Sequence, residues 1–329
     1  MNHLGSIPTL RLAVDSRGIA EAARLLGEGA LVAFPTETVY GLGADASDPA
    51  AVARIFAAKE RPRFNPLIAH LPDLESARRE GVFDADAMRL AEAFWPGPLT
   101  LVVPAAPGGT VCDLARAGLP SVALRVPGSA VARDLIARVG RPIAAPSANR
   151  SGGVSPTSAG HVLTDLDGRI AAILDGGSAP VGIESTVVAC IGGPPHLLRP
   201  GGVTRADIEL ALGRTLDDNE DGAADRPIGP GLLASHYAPG AHVRLNAVGI
   251  EPGEAALLFG TDAPDGIAHA ADVFNLSEAG DPAEAAARLF AGLRRLDASG
   301  AAVIAVVPIP ETGLGEAIND RLRRAAAPR

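Results

Sequence analysis

The stretch LVAFPTETVYGLGADA, Leu31–Ala46, decides how the chain is read. Its apolar start has the pattern of a strand, and Pro35 stops it. Thr36, Glu37, Thr38 and Tyr40 follow, then Gly41 and Gly43. This reads as a polar turn whose glycines permit backbone conformations that other residues resist. Hydroxyls and a carboxylate at the carboxyl end of a strand stand where open α/β sheets bind ligands. Taken alone, the stretch fits a ligand-facing loop and a structural turn with self-satisfied hydroxyls equally.

On either side, helical and strand patterns alternate. DSRGIAEAARLLGEG has Asp15 or Ser16 as cap, apolar residues at helical spacing and Gly27 and Gly29 as stop. SDPAAVARIFAAK restarts a helix with Asp48 as cap and Pro49 in its first turn. Strand-like PLIAHL, LTLVVP, VALRVP, PIAAPSA, AAILDGG, STVVACI and HLLRPGG follow, with a capped helix over Thr204–Gly213. An α/β domain over residues 1–213 is expected. Residues 214–241 are acidic and then rich in proline and glycine, the texture of a linker. Residues 242–329 alternate again, which predicts a smaller α/β, Rossmann-like unit with a parallel sheet.

The 329 residues are 47% hydrophobic, enough for a sizeable core. No apolar run approaches the ~18 residues of a membrane span, and the start lacks a basic-then-apolar leader, so a cytoplasmic protein is expected. Cys112 and Cys190 are isolated, and the seven histidines are scattered, which disfavours a zinc site. Net charge is −2 over residues 1–212 and −7 over 213–329, so no nucleic-acid-coating surface is expected. Neither GxxxxGK[ST] nor GxGxxG nor GxSxG occurs.

Lys59 is the single lysine among 29 basic residues. A site built for a compact ammonium rejects a planar fork, so an arginine-rich chain that keeps one lysine draws attention to it. It opens KERPRFNPLIAH, where Lys59, Arg61 and Arg63 precede Asn65 and His70. A solvated face is the ordinary reading of such a run. Pro62 and Pro66 stiffen it, which suits positioned charges and an anionic partner. APSANRSGGVSPT places Ser147, Asn149, Ser151, Ser155 and Thr157 on one glycine-rich loop, a candidate phosphate or carboxylate cradle. Ser121 and Arg125, Glu184 and Ser185, and Arg199 each stand where a strand-like run meets a polar group.

These motifs, with ESTVV, LLRPGG and the linker segment PGLLASHYAP, resemble in order the YrdC-like domain, linker and small tail domain of threonylcarbamoyl-AMP synthases. The resemblance covers essentially the whole chain. It implies a twisted, open, mixed α/β sheet with a concave electropositive cleft. The implied reaction makes L-threonylcarbamoyl-adenylate and pyrophosphate from L-threonine, bicarbonate and ATP, a product used in tRNA threonylcarbamoyladenosine formation by a separate transfer machinery. By resemblance, Lys59 and Arg61 serve the phosphates and carbamate. Arg63, Asn65, Ser121, Ser147, Asn149, Ser155 and Arg199 go to ATP, and His236 and Tyr237 fold over the cleft against the nucleotide. Thr36, His70, Arg125, the Ala145 backbone and Ser185 go to threonine. Mg²⁺ is expected with ATP, its shell mostly phosphate; Glu37 and Glu184 are candidate metal or water contacts, and no protein metal ligand is assigned. Two other readings stand beside this one: an RNA-binding module of the same fold, and a related carbamoyl-adenylate-forming enzyme. Weak or no direct tRNA binding is expected from the charge, and no membrane association.

Overall fold

The computed structural model describes residues 8–62, 65–218 and 236–328. The first sheet is built from β1 (Leu10–Ala13), β2 (Val32–Pro35), β3 (Tyr40–Asp45), β4 (Ile68–His70), β5 (Leu99–Pro104), β6 (Ser121–Arg125), β7 (Ile143–Ala144), β8 (Ala172–Asp175), β9 (Thr186–Ala189), β10 (His196–Arg199) and β11 (Asp217–Asp218). Between them run α1 (Ser16–Gly27), α2 (Pro49–Lys59), α3 (Leu74–Glu80), α4 (Ala85–Phe94), α5 (Ala130–Val139), α6 (Ala159–Leu166) and α7 (Arg205–Leu212). The strand order is β1-β8-β2-β3-β7-β4-β6-β5-β9-β10-β11, with parallel and antiparallel pairs mixed. Asp15 and Asp48 cap α1 and α2 through their side chains, as their sequences predict.

The opening stretch departs from its reading as a turn. Tyr40–Asp45 is a strand that pairs antiparallel with β2, from Pro35↔Tyr40 to Val32↔Gly43. Only residues 36–39 form the connection. Gly41 and Gly43 do not supply unusual backbone angles; they supply close approach. A Cβ on Gly43 would stand 2.8 Å from the Phe34 ring and 3.1 Å from the Val32 carbonyl oxygen. On Gly41 it would stand 3.2 Å from the Ala145 Cβ. The pattern Tyr-Gly-Leu-Gly hides the strand because glycine weakens the apolar alternation on which a strand reading depends.

The two faces of the sheet carry separate helix-backed cores, because β2 and β8 send alternate residues into one and the other. Val52, Ile55 and Phe56 of α2, Leu90 of α4 and Ile208 of α7 share one; Leu26 of α1 with Leu135 and Ile136 of α5 belong to the other. A third, small cluster of Ile68, Val102, Ala123, Val187, Ala189 and Leu198 is made by strands alone. Among the described residues no helix contributes to it, yet all six side chains are buried.

The second domain has a four-stranded parallel sheet in the order β12-β15-β13-β14: β12 (His242–Arg244), β13 (Ala255–Leu258), β14 (Val273–Asn275) and β15 (Val303–Val306). Helices α8 (Pro282–Ala298) and α9 (Leu314–Ala326) pack on it. Its core is not self-contained. Leu289, Phe290 and Leu322 share a cluster with Val39, Val154 and Ile183 of the first domain and with Tyr237. Most of the expected linker, residues 219–235, lies outside the described residues. The α7 helix packs on α4, so it belongs physically to the first domain. Among the described residues no helix is long and apolar enough to cross a membrane.

Candidate active site

Three chain segments build the site around the β4-β6-β5-β9-β10 part of the sheet. At the end of α2, Glu60 turns left-handed (φ 56°) and the Arg61 N–H closes back on the Phe56 carbonyl at 3.0 Å. This cap separates Lys59, the last helical residue, from Arg61. The loop after β7 is laced to β3: Leu42 N–H donates to Pro146, Ala148 N–H to Tyr40, and Tyr40 N–H to Pro156. The pair β9–β10 brings Ser185 and Arg199 together at its open end. A register slip between Leu197 and Arg199 accompanies Arg199, whose Nε and Nη2 donate to the Ser185 carbonyl at 3.1 and 2.8 Å.

A cavity of about 60 Å³ lies among these segments. Arg61, Asn65, His70, Arg125, Ala145 and Ser147 line it, as do Ser185, Arg199, His236 and Tyr237. Thr38, Val39, Pro66, Ile68, Pro146 and Glu184 complete the wall. A cavity of about 570 Å³ between α3 and the end of α5 is larger, but its polar groups are engaged. Glu80 accepts from Thr110 and Val111 there, and Arg141 is paired with Asp45.

Five sequence-predicted residues stand behind the wall or beside it. Lys59 is buried, and its Nζ donates to the carbonyls of Ser147 and Asn149 at 2.5 Å each. Thr36 Oγ1 donates to the Val39 carbonyl at 2.6 Å and accepts from two backbone N–H groups, holding the 36–39 connection. Asn149 Nδ2 ties its own loop, to Arg150 and Gly153. Ser155 Oγ donates to Glu184 at 2.5 Å. Ser121 opens β6 on the face that carries Ala123 and Arg125, outside the lining. Arg63 lies outside the described residues.

The electrostatics are those of an anion site. Burial, and then the neighbouring Arg61, pull the Lys59 ammonium well below its usual value. Burial pulls Arg61 down to about 10, with Arg199 adding to the effect. Burial also lowers Arg199. His70 falls to about 3, first through burial and then through Arg125. His236 is pushed far down by burial and by Arg61, Lys59, Arg199 and Arg324, so both imidazoles are neutral. Among the described residues Arg61 Nε, Asn65 Oδ1 and His236 Nδ1 are buried without a protein partner. Buried polar groups left unpaired are costly, and a bound ligand removes that cost.

The two carboxylates are engaged. Glu37 accepts from Arg125 Nη2 at 2.6 Å and from the Ser129 N–H at 3.1 Å. Burial would raise its pKa, but the Arg125 charge and the backbone donors outweigh that and hold it low. Glu184 accepts from Ser155 and, at 2.9 Å, from Arg321 of α9. The candidate metal role of either carboxylate therefore does not fit the donor set. Among the described residues no cluster of histidine, cysteine and carboxylate side chains could hold a metal ion.

A family profile described as "Telomere recombination", Sua5_yciO_yrdC, matches residues 24–201, more than half the chain. The chain belongs to this family. A second profile, described as the threonylcarbamoyl-AMP synthase C-terminal domain, matches residues 203–327. The chain is 41% identical to the threonylcarbamoyl-AMP synthase of Bacillus subtilis, over 98% of this chain and 96% of that protein. It is 43% identical to that of Pyrococcus abyssi, over 97% of each. Among solved structures, P. abyssi Sua5 complexed with L-threonine superposes with a TM-score of 0.88 at 39% identity, covering 97% of this chain and 98% of that one. Within this Sua5 family member, sequence reasoning missed Arg321 as a neighbour of the site. It arrives from 137 residues beyond Glu184, on a helix whose basic last turn reads as ordinary dipole compensation.

Proposed function

We propose that the cavity is where L-threonine, bicarbonate and ATP become L-threonylcarbamoyl-adenylate and pyrophosphate, as in a threonylcarbamoyl-AMP synthase. The observation that carries this is the pair Arg61 and Arg199 on the cavity wall, with Lys59 buried behind them and the lining carboxylate, Glu184, already paired with Arg321. Such a set requires an anion, and a triphosphate satisfies it.

The amine of threonine and bicarbonate give a carbamate, losing water. A carbamate oxygen attacks the α-phosphorus of ATP and pyrophosphate leaves. Charge grows on the phosphates, so positioning and fixed positive charge are the main contributions. Arg61 and Arg199 hold the phosphates, with Asn65 and Ser147 beside them. Lys59 fixes the loop that presents Ser147, while Ser121, Asn149 and Ser155 support the nucleotide side. Arg125, His70, Ser185 and the Ala145 backbone receive threonine, and Thr36 sets the edge of that pocket. Mg²⁺ enters as part of the ATP substrate, on phosphate oxygens.

A nucleotide-sized ligand needs roughly 300 Å³ or more. At about 60 Å³ the cavity is smaller than that, so the His236–Tyr237 segment moves to make room for ATP. Tyr237 has φ 62° and a buried ring stacked on Phe290 at 5.4 Å between centroids, which suits a lid with one defined closed state. The product passes to a tRNA threonylcarbamoyl-transfer machinery, and direct tRNA binding is weak or absent.

The test is pyrophosphate release from ATP and bicarbonate with single amino acids. Threonine-dependent release is expected. Equal release with serine or alanine removes the substrate assignment, and no release with any amino acid removes the reaction. Tight, threonine-independent tRNA retention on a filter at physiological salt would favour the RNA-binding reading.

A further inference from the structure

We propose that Arg321, in the second domain, is a positioning residue for this reaction: it holds the Glu184 carboxylate off the nucleotide cations and so keeps Arg199 available. Glu184 lines the cavity, an unwelcome place for a negative charge beside a triphosphate. Its two oxygens are both drawn aside, Oε1 by the Ser155 hydroxyl at 2.5 Å and Oε2 by Arg321 Nε at 2.9 Å. Arg199 is close enough to feel Glu184, yet it donates to Ser185. In a low-dielectric site an unclaimed carboxylate would pair with the nearest guanidinium, and incoming phosphate would then compete with it.

Arg321 is itself fixed from several sides. Its side chain has 0% exposure. Nη1 donates at 2.7 Å to the Pro200 carbonyl, next in sequence to Arg199, and at 2.7 Å to Asp320. Its guanidinium carbon sits 5.5 Å from the centre of the Tyr237 ring. Asp320 is shared with Arg324, so Arg321 is left with charge to spend on Glu184. One residue of the second domain thus touches a wall residue, the Arg199–Pro200 backbone and the lid.

The inference rests on the synthase reading, which the threonine-dependent activity of the unaltered chain tests separately. With the full chain, steady-state pyrophosphate release is measured for Arg321→Met, Glu184→Gln, the double variant and Glu316→Gln. The last loosens the Arg205–Glu316 contact between the same helix and the first domain without touching Glu184. Arg321→Met is expected to raise KM for ATP about tenfold while KM for threonine stays within about twofold. Adding Glu184→Gln is expected to bring KM for ATP back to within about threefold of the Glu184→Gln single variant. Glu316→Gln should leave both constants near those of the unaltered chain. Equal rises in both KM values, or no recovery in the double variant, would overturn the proposal, since loosened docking alone predicts both. If Arg321→Met does not fold, Arg321→Lys is read the same way: it keeps the charge near Glu184, so KM for ATP is expected to rise less than about threefold. A tenfold rise in Arg321→Lys that Glu184→Gln does not relieve would equally overturn it.

Discussion

Lys59 Nζ lies 2.5 Å from the carbonyl oxygen of Ser147, a residue that lines the cavity. A second carbonyl, that of Asn149, sits at the same distance. Three N–H donors on a small head fit between two converging carbonyls; a planar guanidinium does not. Lys59→Arg is therefore expected to fold but to lose roughly 100-fold in kcat/KM, because the Ser147 loop is displaced. Lys59→Met should cost about 1–3 kcal/mol of stability, since two buried carbonyls lose their donor. Pyrophosphate release and urea denaturation measure these, and full activity of Lys59→Arg would show that the lone lysine is dispensable.

Arg125 binds Glu37 through one Nη atom, and Glu37 in turn accepts from the first N–H of the α5 cap. This fixes the guanidinium plane before substrate arrives. Arg125→Lys loses the fork, so KM for threonine is expected to rise about ten- to 100-fold with KM for ATP little changed. Initial-rate measurements varying one substrate at a time decide it. A rise confined to ATP would place Arg125 on the wrong substrate.

Gly43 leaves no room for a methyl group, with Phe34 at 2.8 Å, the Val32 oxygen at 3.1 Å and Ile143 at 3.2 Å from its would-be Cβ. Gly43→Ala should destabilise by about 1–3 kcal/mol through overpacking. Gly41→Ala meets only Ala145 closely, at 3.2 Å, so it should cost less stability and instead shift KM for threonine through Ala145. Thermal melts and kinetics on the pair separate the two effects. Equal melting losses would contradict the difference in packing.

The neutral histidines give a defined acid response. His70 has its folded value near 3 and His161 near 4, against an ordinary 6.5, both lowered first by burial. His236 shifts the same way. Between those values the unfolded chain binds protons that the folded chain does not. Stability therefore rises with pH through this window and is lost as pH falls from about 6.5, by roughly 1.4 kcal/mol per pH unit for each such group. Glu37 and Glu184 are depressed from 4.5, so their contribution is present above 4.5 and fades only below it. Urea midpoints between about pH 6.5 and 5 isolate the histidines, and His70→Gln should make the slope shallower. An unchanged slope would mean that His70 is protonated in the folded chain.

How much of this could be read in the residues differs by element. Asp15 and Asp48 announce their helices because a cap is a local event, settled within four residues. The α/β alternation and the small parallel second sheet follow from apolar periodicity. The strand β3 is hidden because two of its six residues are glycines chosen for what lies across from them. Lys59 stands out by composition, yet its contact with carbonyls 88 and 90 residues away is a property of the fold. Ser185 and Arg199 each look like isolated strand-end polar residues until the β9–β10 pairing brings them together. The pairing of Glu37 and Glu184 with arginines, which removes them as metal ligands, is likewise set by distant partners.

The Glu184–Arg321 contact also has a consequence for the order in which the chain is made. Synthesis runs from the amino end, and early segments can collapse as they emerge. The first sheet and its helices are complete by residue 218, so that body can form while the rest is still being translated. Its cavity wall is not finished at that point. Glu184 waits for a residue that leaves the ribosome more than 100 positions later, on the second helix of the second domain. On the synthase reading, the nascent first domain therefore carries a pocket in which Ser155 alone holds the Glu184 carboxylate, and full affinity for ATP is expected only once α9 docks.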